Sequence, residues 1–401
     1  MNIMTINASS GQSRLLLLLL WLFALQGCRS IDLEADFELN ETVHSRIIDQ
    51  TADAFPEIDP LQLSAEIKQL IDGYIREYDS EETKVEKLQE ILYSEEYLNL
   101  QYADSKTHTA IEAFEAKEGN CLSAMNLYVA MARYVGVDAS FQTVEVQPSW
   151  DRRGGLLVLS RHINASGQFN VQRRYVVDFT PEIALQQLTS QIVSDRFARG
   201  LYFNNLGVEA MVASDYAMAL VYFKNALFLE PELSIAWNNI GAAYNRLGSR
   251  ELAEYSYQMS FNVDGTNATA VNNLAKFYRT TGNERLAREY EVAIERFNNR
   301  NPYFHYARGQ IAFYENDFDL AQSSFQRAIR LKEEEPDFYL ALAQIYKLRG
   351  NESRAENLRE SAEQLIAQNA EIYQPSDDKL RIIDSSSILR DSSPSISIRF
   401  D

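Results

Sequence analysis

The chain has 401 residues, 46% of them hydrophobic and 24% charged, with a formal net charge of -19 at neutral pH. That length suits two or three domains with real cores, which excludes a wholly disordered chain. The acidic balance, with no basic run, argues against nucleic acid or an anionic membrane surface as the main partner, since both demand clustered Lys and Arg.

The first 28 residues read as an export signal, with Arg14 supplying the charge, Leu15 to Ala24 the apolar segment, and Leu25-Gln26-Gly27-Cys28 the cleavage site. The apolar run is too short for a comfortable membrane span. Its last four residues resemble the bacterial lipobox, which implies that Cys28 receives a diacylglycerol thioether and becomes the new N-terminus. The expectations are therefore lipidation at Cys28, a membrane partner reached through the lipid anchor, and residence in a bacterial cell envelope. Arg29 in place of Asp suggests outer-membrane sorting, facing the periplasm. Two acyl signals suffice for stable anchoring. Cys28 so used leaves Cys121 as an unpaired thiol, which favours a chemical role for it in an oxidising compartment. Residues 29–58 are polar and acidic without clear periodicity and read as a flexible tether.

Helical signals begin after Asp59-Pro60, with Leu63, Ile67, Leu70, Ile71 and Tyr74, and continue after an Asp79/Glu82 capping pair with Val85, Leu88, Ile91 and Leu92. Thr107-His108-Thr109 starts a further short helix with Glu112. Cys121 to Tyr134 is apolar almost all round and ends at Gly136, so it predicts a buried helix with Cys121 in its first turn. There the thiol faces unpaired backbone N–H groups and the positive end of the helix dipole, which favour the thiolate. Ala139 to Val146 reads as a strand, Pro148 to Gly155 as a loop, Ser160-Arg161-His162-Ile163 as a second strand, and Tyr175 to Pro181 as a third. A hairpin centred near Asn170 would set His162 opposite Asp178.

Gly119-Asn120-Cys121 opening a helix, then Ala132 to Ala139 leading into a strand, then His162, then Asp178-Phe179-Thr180-Pro181, resembles the transglutaminase-like branch of the papain-type cysteine enzymes. The resemblance spans roughly residues 85 to 185. It implies that Cys121 attacks an amide or ester carbonyl, that His162 accepts its proton and that Asp178 orients the imidazole. Two departures stand out: Asn164 occupies a place where many members have an aromatic residue, and no upstream oxyanion side chain is obvious, Gln101 being one candidate beside the backbone N–H of Cys121.

From residue 200 the chain repeats every 34 residues, as in Ala219, Ala253, Ala287, Ala321 and Ala355, and in the small set Gly207, Gly241, Ala275, Gly309 and Ala343. Trp237, Ile240, Gly241, Tyr244, Ala253 and Tyr257 resemble the tetratricopeptide repeat. Five units are expected over 200–369, and 370–401 reads as a disordered tail. The fold class is then an α+β transglutaminase-like domain, over 59–190, followed by an all-α tetratricopeptide-repeat superhelix.

The repeat resemblance implies a groove that binds a protein or peptide ligand, and Asn204, Asn238 and Asn272 recur at one groove-facing place where a carboxamide could pair with an extended backbone. Asn205, Asn239 and Asn273 fit the structural asparagine of the repeat. No metal cluster, phosphate loop or nucleotide fingerprint is present in the sequence, and no cofactor is expected. Two readings follow: a lipid-anchored cysteine protease, amidase or transglutaminase-like acyltransferase with a recruiting array, or a non-catalytic adaptor in which both domains serve protein–protein interaction.

Overall fold

The computed structural model describes residues 33, 39–48, 57–103, 106–153, 156–179, 190–372 and 379–384. Cys28 and the rest of the segment read as an export signal lie outside the described residues, as do Thr180 and Pro181.

After a first helix α1 (Glu41–Ile48), α2 (Ala65–Tyr74) and α3 (Glu81–Tyr93) bury Ile67, Ile71, Val85, Leu88, Ile91 and Leu92. Their caps are serines: Ser64 accepts from the Ile67 N–H and Ser80 from the Thr83 N–H. Asp79, the expected cap, instead accepts from Arg76 N–H and from the Lys87 ammonium at 2.6 Å. Short strands β1 (Gln101–Tyr102) and β2 (Glu118–Gly119) pair in parallel around α4 (Ala110–Ala116), which carries a full capping box between Thr109 and Glu112. Helix α5 (Cys121–Tyr134) is the central one, with every residue from Leu122 to Ala132 buried.

A sheet of order β6-β3-β4-β5-β7 packs beside it, made of β3 (Ser140–Arg153), β4 (Leu156–Gln168), β5 (Arg173–Val177), β6 (Gln191–Val193) and β7 (Leu380–Asp384), each neighbour antiparallel. The segment read as a loop from Pro148 is mostly strand: β3 and β4 continue as a two-stranded ribbon from Ser149↔Ser160 to Arg153↔Leu156. Pro148 falls in the register shift between Val144 and Ser149, where a residue without a backbone N–H does not break a ladder bond. The hairpin between β4 and β5 turns around Val171, with Asn170 Oδ1 accepting from Gln172 and Arg173 N–H. Its pairs include Ala165↔Val177 and Gly167↔Tyr175, so the next step sets Asn164, not His162, opposite Asp178.

The repeats follow without a linker. Ser194 after β6 caps α6 (Asp195–Val212), and Arg133 of α5 holds Asp195 through two bonds of 2.6 and 2.8 Å. Helix α7 (Tyr216–Leu229) completes the first unit, and four further pairs make five: α8 (Ser234–Arg246) with α9 (Arg250–Val263), α10 (Ala268–Thr281) with α11 (Glu284–Asn298), α12 (Pro302–Tyr314) with α13 (Phe318–Leu331), and α14 (Pro336–Leu348) with α15 (Glu352–Ile372). The small residues of the period do what their size permits. A Cβ at Gly207, Gly241 or Gly309 would stand 2.4, 2.6 or 2.5 Å from the ring of Phe223, Tyr257 or Phe325, each on the second helix of the same unit. One core runs from Val43 through α5 and the sheet to Ile294, and a separate cluster around Phe325, Leu342 and Ile345 serves the last units. The division falls at the stretched junction Asn298–Asn301.

Two expectations are corrected. The tether contains α1, whose Val43 and Ile47, one turn apart, are buried against the array, while His44 Nδ1 lies 3.0 Å from the Tyr255 hydroxyl and Arg46 pairs with Glu251. Eight residues carry too little periodicity to announce such a helix, and its stability comes from packing. The tail contains β7, an edge strand whose register with β5 runs from Arg173↔Asp384 to Val177↔Leu380. Its order comes from backbone bonds to a strand some 200 residues earlier in the chain, which local composition cannot reveal.

Candidate active site

The approach to Cys121 is tied down from three sides. Ala103 N–H donates to Gly119 O at 2.9 Å, Asn120 Nδ2 donates to Thr107 Oγ1 at 2.7 Å, and Asn120 Oδ1 accepts from the Ser123 N–H at 3.0 Å as the N-cap of α5. Ser123 Oγ then accepts from His108 N–H at 2.8 Å. Gly119 is required here, because a Cβ would stand 2.6 Å from Ser123 Cβ. With Asn120 as cap, Cys121 is the first helical residue, and its N–H belongs to the set that has no partner within the helix.

The three residues expected to act together are brought together. Cys121 Sγ lies 3.8 Å from His162 Nδ1, and His162 Nε2 lies 2.7 Å from Asp178 Oδ2. An Nε2 facing a carboxylate carries the proton, which leaves Nδ1 to face the sulfur. His162 and Asp178 are 3% and 2% exposed, while Cys121 keeps partial exposure. Burial alone would lower the His162 pKa, but its hydrogen bonds to Asp178 and Cys121, with their charges, raise it to about 9. His162 reaches Asp178 diagonally across the hairpin, and Asn164, directly opposite, donates its own Nδ2–H to the same Oδ2 at 3.2 Å. Gln101 is no oxyanion donor, since its amide is spent on Asn99 O and Oδ1 at 2.9 and 2.8 Å.

Three neighbours went unrecognised in the sequence. Tyr93, the last residue of α3, stacks on Phe179 at 5.6 Å, and its buried hydroxyl has no hydrogen-bond partner among the described residues. Burial first, then the charges of Asp178 and Cys121, push the phenol pKa far up, so it stays un-ionised beside the site. Lys379 places its ammonium 4.3 Å from the Tyr93 ring centre and 4.5 Å from that of Phe179, and its carbonyl accepts from the Asp178 N–H at 2.8 Å. The third is Asn164, visible in the sequence only as a departure from a pattern. A cavity of about 420 Å³ at the junction with the array, lined by Asn126, Phe141, Arg196 and Arg199 among others, includes none of the triad.

In the array, Asn204 and Asn238 are 4% and 7% exposed, and they accept from Asn239 Nδ2 at 2.9 Å and Asn273 Nδ2 at 2.8 Å. These bonds form a ladder linking α6, α8 and α10. Two of the three residues expected to contact a ligand are thus committed to joining helices, and the doubled asparagines repeating every 34 residues were the available signal. Asn272 is exposed on α10. The sequence has Ala307 at the place where a further rung would need an amide.

The pattern of the transglutaminase-like superfamily matches residues 68–178, and that of the tetratricopeptide repeat matches residues 302–335. An uncharacterized protein, ycf37, of Porphyra purpurea is 37% identical over 68 residues, 16% of this chain and 39% of that relative, so the match spans about two fifths of it. Among solved structures, MamA from Desulfovibrio magneticus is 15% identical over 44% of this chain and 97% of its own, with TM-score 0.25. YrrB, a TPR protein with an unusual peptide-binding site, is 16% identical over 41% and 86%, with TM-score 0.24. By the two family matches and its own elements, the chain carries a transglutaminase-like domain of mixed helix and strand, followed by a helical tetratricopeptide array.

Proposed function

We propose that the transglutaminase-like domain is a cysteine-dependent amide hydrolase or acyltransferase held in the bacterial envelope, and that the array binds protein or peptide partners. The observation that carries the reading is the unbroken relay from Cys121 Sγ through both ring nitrogens of His162 to Asp178 Oδ2.

In the first half-reaction the thiolate adds to the amide carbonyl carbon, a C–S bond forms, and the carbonyl oxygen takes the negative charge beside the Cys121 N–H. Collapse of the adduct breaks the C–N bond, and the His162 imidazolium gives its Nδ1 proton to the departing amine. The resulting acyl thioester is attacked by water or by an amine. Neutral His162 takes the proton of that nucleophile, and the C–S bond breaks to restore the thiolate. Asp178 holds the ring and balances the imidazolium throughout.

The anchor belongs to the same proposal: Cys28, lipidated, would hold the relay at the outer membrane on the periplasmic side. Support for it is the Leu25-Gln26-Gly27-Cys28 tetrad after a short apolar run.

The test is capture of the intermediate. A glutamine-containing peptide is mixed with the full chain, quenched in acid, and digested for mass spectrometry, with ammonia release followed in parallel. An acyl adduct on Cys121, absent from Cys121→Ala, together with released ammonia supports the proposal. An added primary amine then separates transfer from hydrolysis. No adduct and no ammonia above the Cys121→Ala background, for glutamine peptides and for an activated ester alike, would overturn it.

A further inference from the structure

Asn164 is 1% exposed, and its amide has one committed end and one spare. Nδ2 donates to Asp178 Oδ2 at 3.2 Å, while Oδ1 is buried with no hydrogen-bond partner among the described residues. Turning the amide over would set its oxygen against an acceptor-only carboxylate, so the observed orientation is the one chemistry allows. Among the described residues, the bond to Asp178 is the one hydrogen bond that the buried Asn164 amide makes.

The bond is made to an oxygen already in use. His162 Nε2–H donates to the same Oδ2 at 2.7 Å, so two donors share one acceptor. Each donor weakens the other, because electron density drawn by one is unavailable to its neighbour. Among the described residues, the ionisable groups facing His162 are Cys121 on α5 and Asp178 beyond β5. Tyr93 on α3 feels the charge of both, and Lys379, before β7, lies over Tyr93 and Phe179.

We propose that Asn164 is a positioning residue for the relay: by donating to the Asp178 oxygen that receives His162, it loosens the carboxylate's hold on the imidazolium and keeps His162 able to release its proton to a leaving group. This rests on the reading of Cys121, His162 and Asp178 as an acyl-transfer relay. The sign follows from linkage. The Asn164 bond is strongest when His162 is neutral and no longer competes as a cation, so it stabilises the neutral state more than the charged one. Removing it raises the proton affinity of the His162–Asp178 pair, whichever partner holds the proton.

The experiment is an NMR titration of the imidazoles in the full-length chain, without substrate. The sequence has four histidines, so His162 is assigned by its disappearance in His162→Phe. The expected result is a rise in the His162 midpoint of about half a pH unit to one unit in Asn164→Leu, a larger rise in Asn164→Asp, which adds a second carboxylate, and a fall in Asp178→Asn. A purely packing role would lower the melting temperature and leave the midpoint where it was. An unchanged or lowered midpoint in both Asn164 variants overturns the proposal. If circular dichroism finds Asn164→Leu unfolded, the smaller Asn164→Ala, which adds no charge, decides alone, a rise supporting and anything else refuting. Because no substrate is used, a shifted midpoint in a protein that forms no acyl-Cys121 would separate failure of the catalytic reading from failure of this one.

Discussion

Changing the pH of a folded sample perturbs the His162–Asp178 pair without a mutation, and the structure dictates how stability must respond. The folded pKa of His162 is raised from the ordinary 6.5 to about 9, by its partners against the opposing effect of burial. A raised histidine contributes stability that is fully present below the unfolded pKa and disappears as pH climbs through the folded one. The loss therefore falls between about pH 6.5 and pH 9, and at about 1.4 kcal/mol per pH unit it amounts to roughly 3 kcal/mol. The side chains of both partners are almost wholly buried, at 2% and 3%, so little of this is screened by solvent. Hydrogen exchange of peptides covering Cys121 to Tyr134, measured against urea and corrected for intrinsic rate, reads the transglutaminase-like domain apart from the array. In Asp178→Asn the carboxylate is gone, and with it the strongest of the contacts that raise the His162 pKa. Wild type should lead that variant at about pH 6, and the gap should shrink by up to roughly 3 kcal/mol by about pH 9.5. Two curves that run parallel across this range would refute the reasoning.

The other predictions concern the array and the anchor. Gly241→Val should lower the urea midpoint by the equivalent of about 1–3 kcal/mol, since the added carbon meets the Tyr257 ring at 2.6 Å, and an unchanged midpoint would contradict the close approach. Asn238→Ala breaks a rung of the ladder and strands the Asn273 amide, so it should cost about 1–3 kcal/mol, whereas exposed Asn272→Ala should cost less than about 0.5 kcal/mol. Equal losses from the two would count against the ladder. Mass spectrometry of the mature N-terminus should find a diacyl thioether on Cys28, and an unmodified terminus elsewhere would remove the anchor.

Much of the fold was readable because its causes are local. The Cys121 helix announces itself by an apolar run between a capping asparagine and Gly136, and the repeats by small residues whose spacing is set by helix contact within a unit. The order Cys121, His162, Asp178 was equally legible. What escaped depends on distant partners. Helix α1 and strand β7 exist because of surfaces formed hundreds of residues away, and neither has enough length to carry a pattern of its own. The hairpin turns one residue later than its composition suggested, around Val171, and that step exchanges the residue opposite Asp178 from His162 to Asn164. Asn204 and Asn238 carry the amide chemistry expected of a ligand groove, but their partners are asparagines of the next unit, 35 positions on.

If Cys121 is a nucleophile made reactive by His162, its alkylation by iodoacetamide at about pH 6.5 must depend on that histidine. Wild-type Cys121 should react at least about tenfold faster than Cys121 in His162→Ala, with Asp178→Ala between the two, because the imidazolium supplies the charge that holds a thiolate and the aspartate only orients the ring. The same slow rate in all three folded proteins would contradict the account and leave the chain an adaptor built on a transglutaminase-like fold.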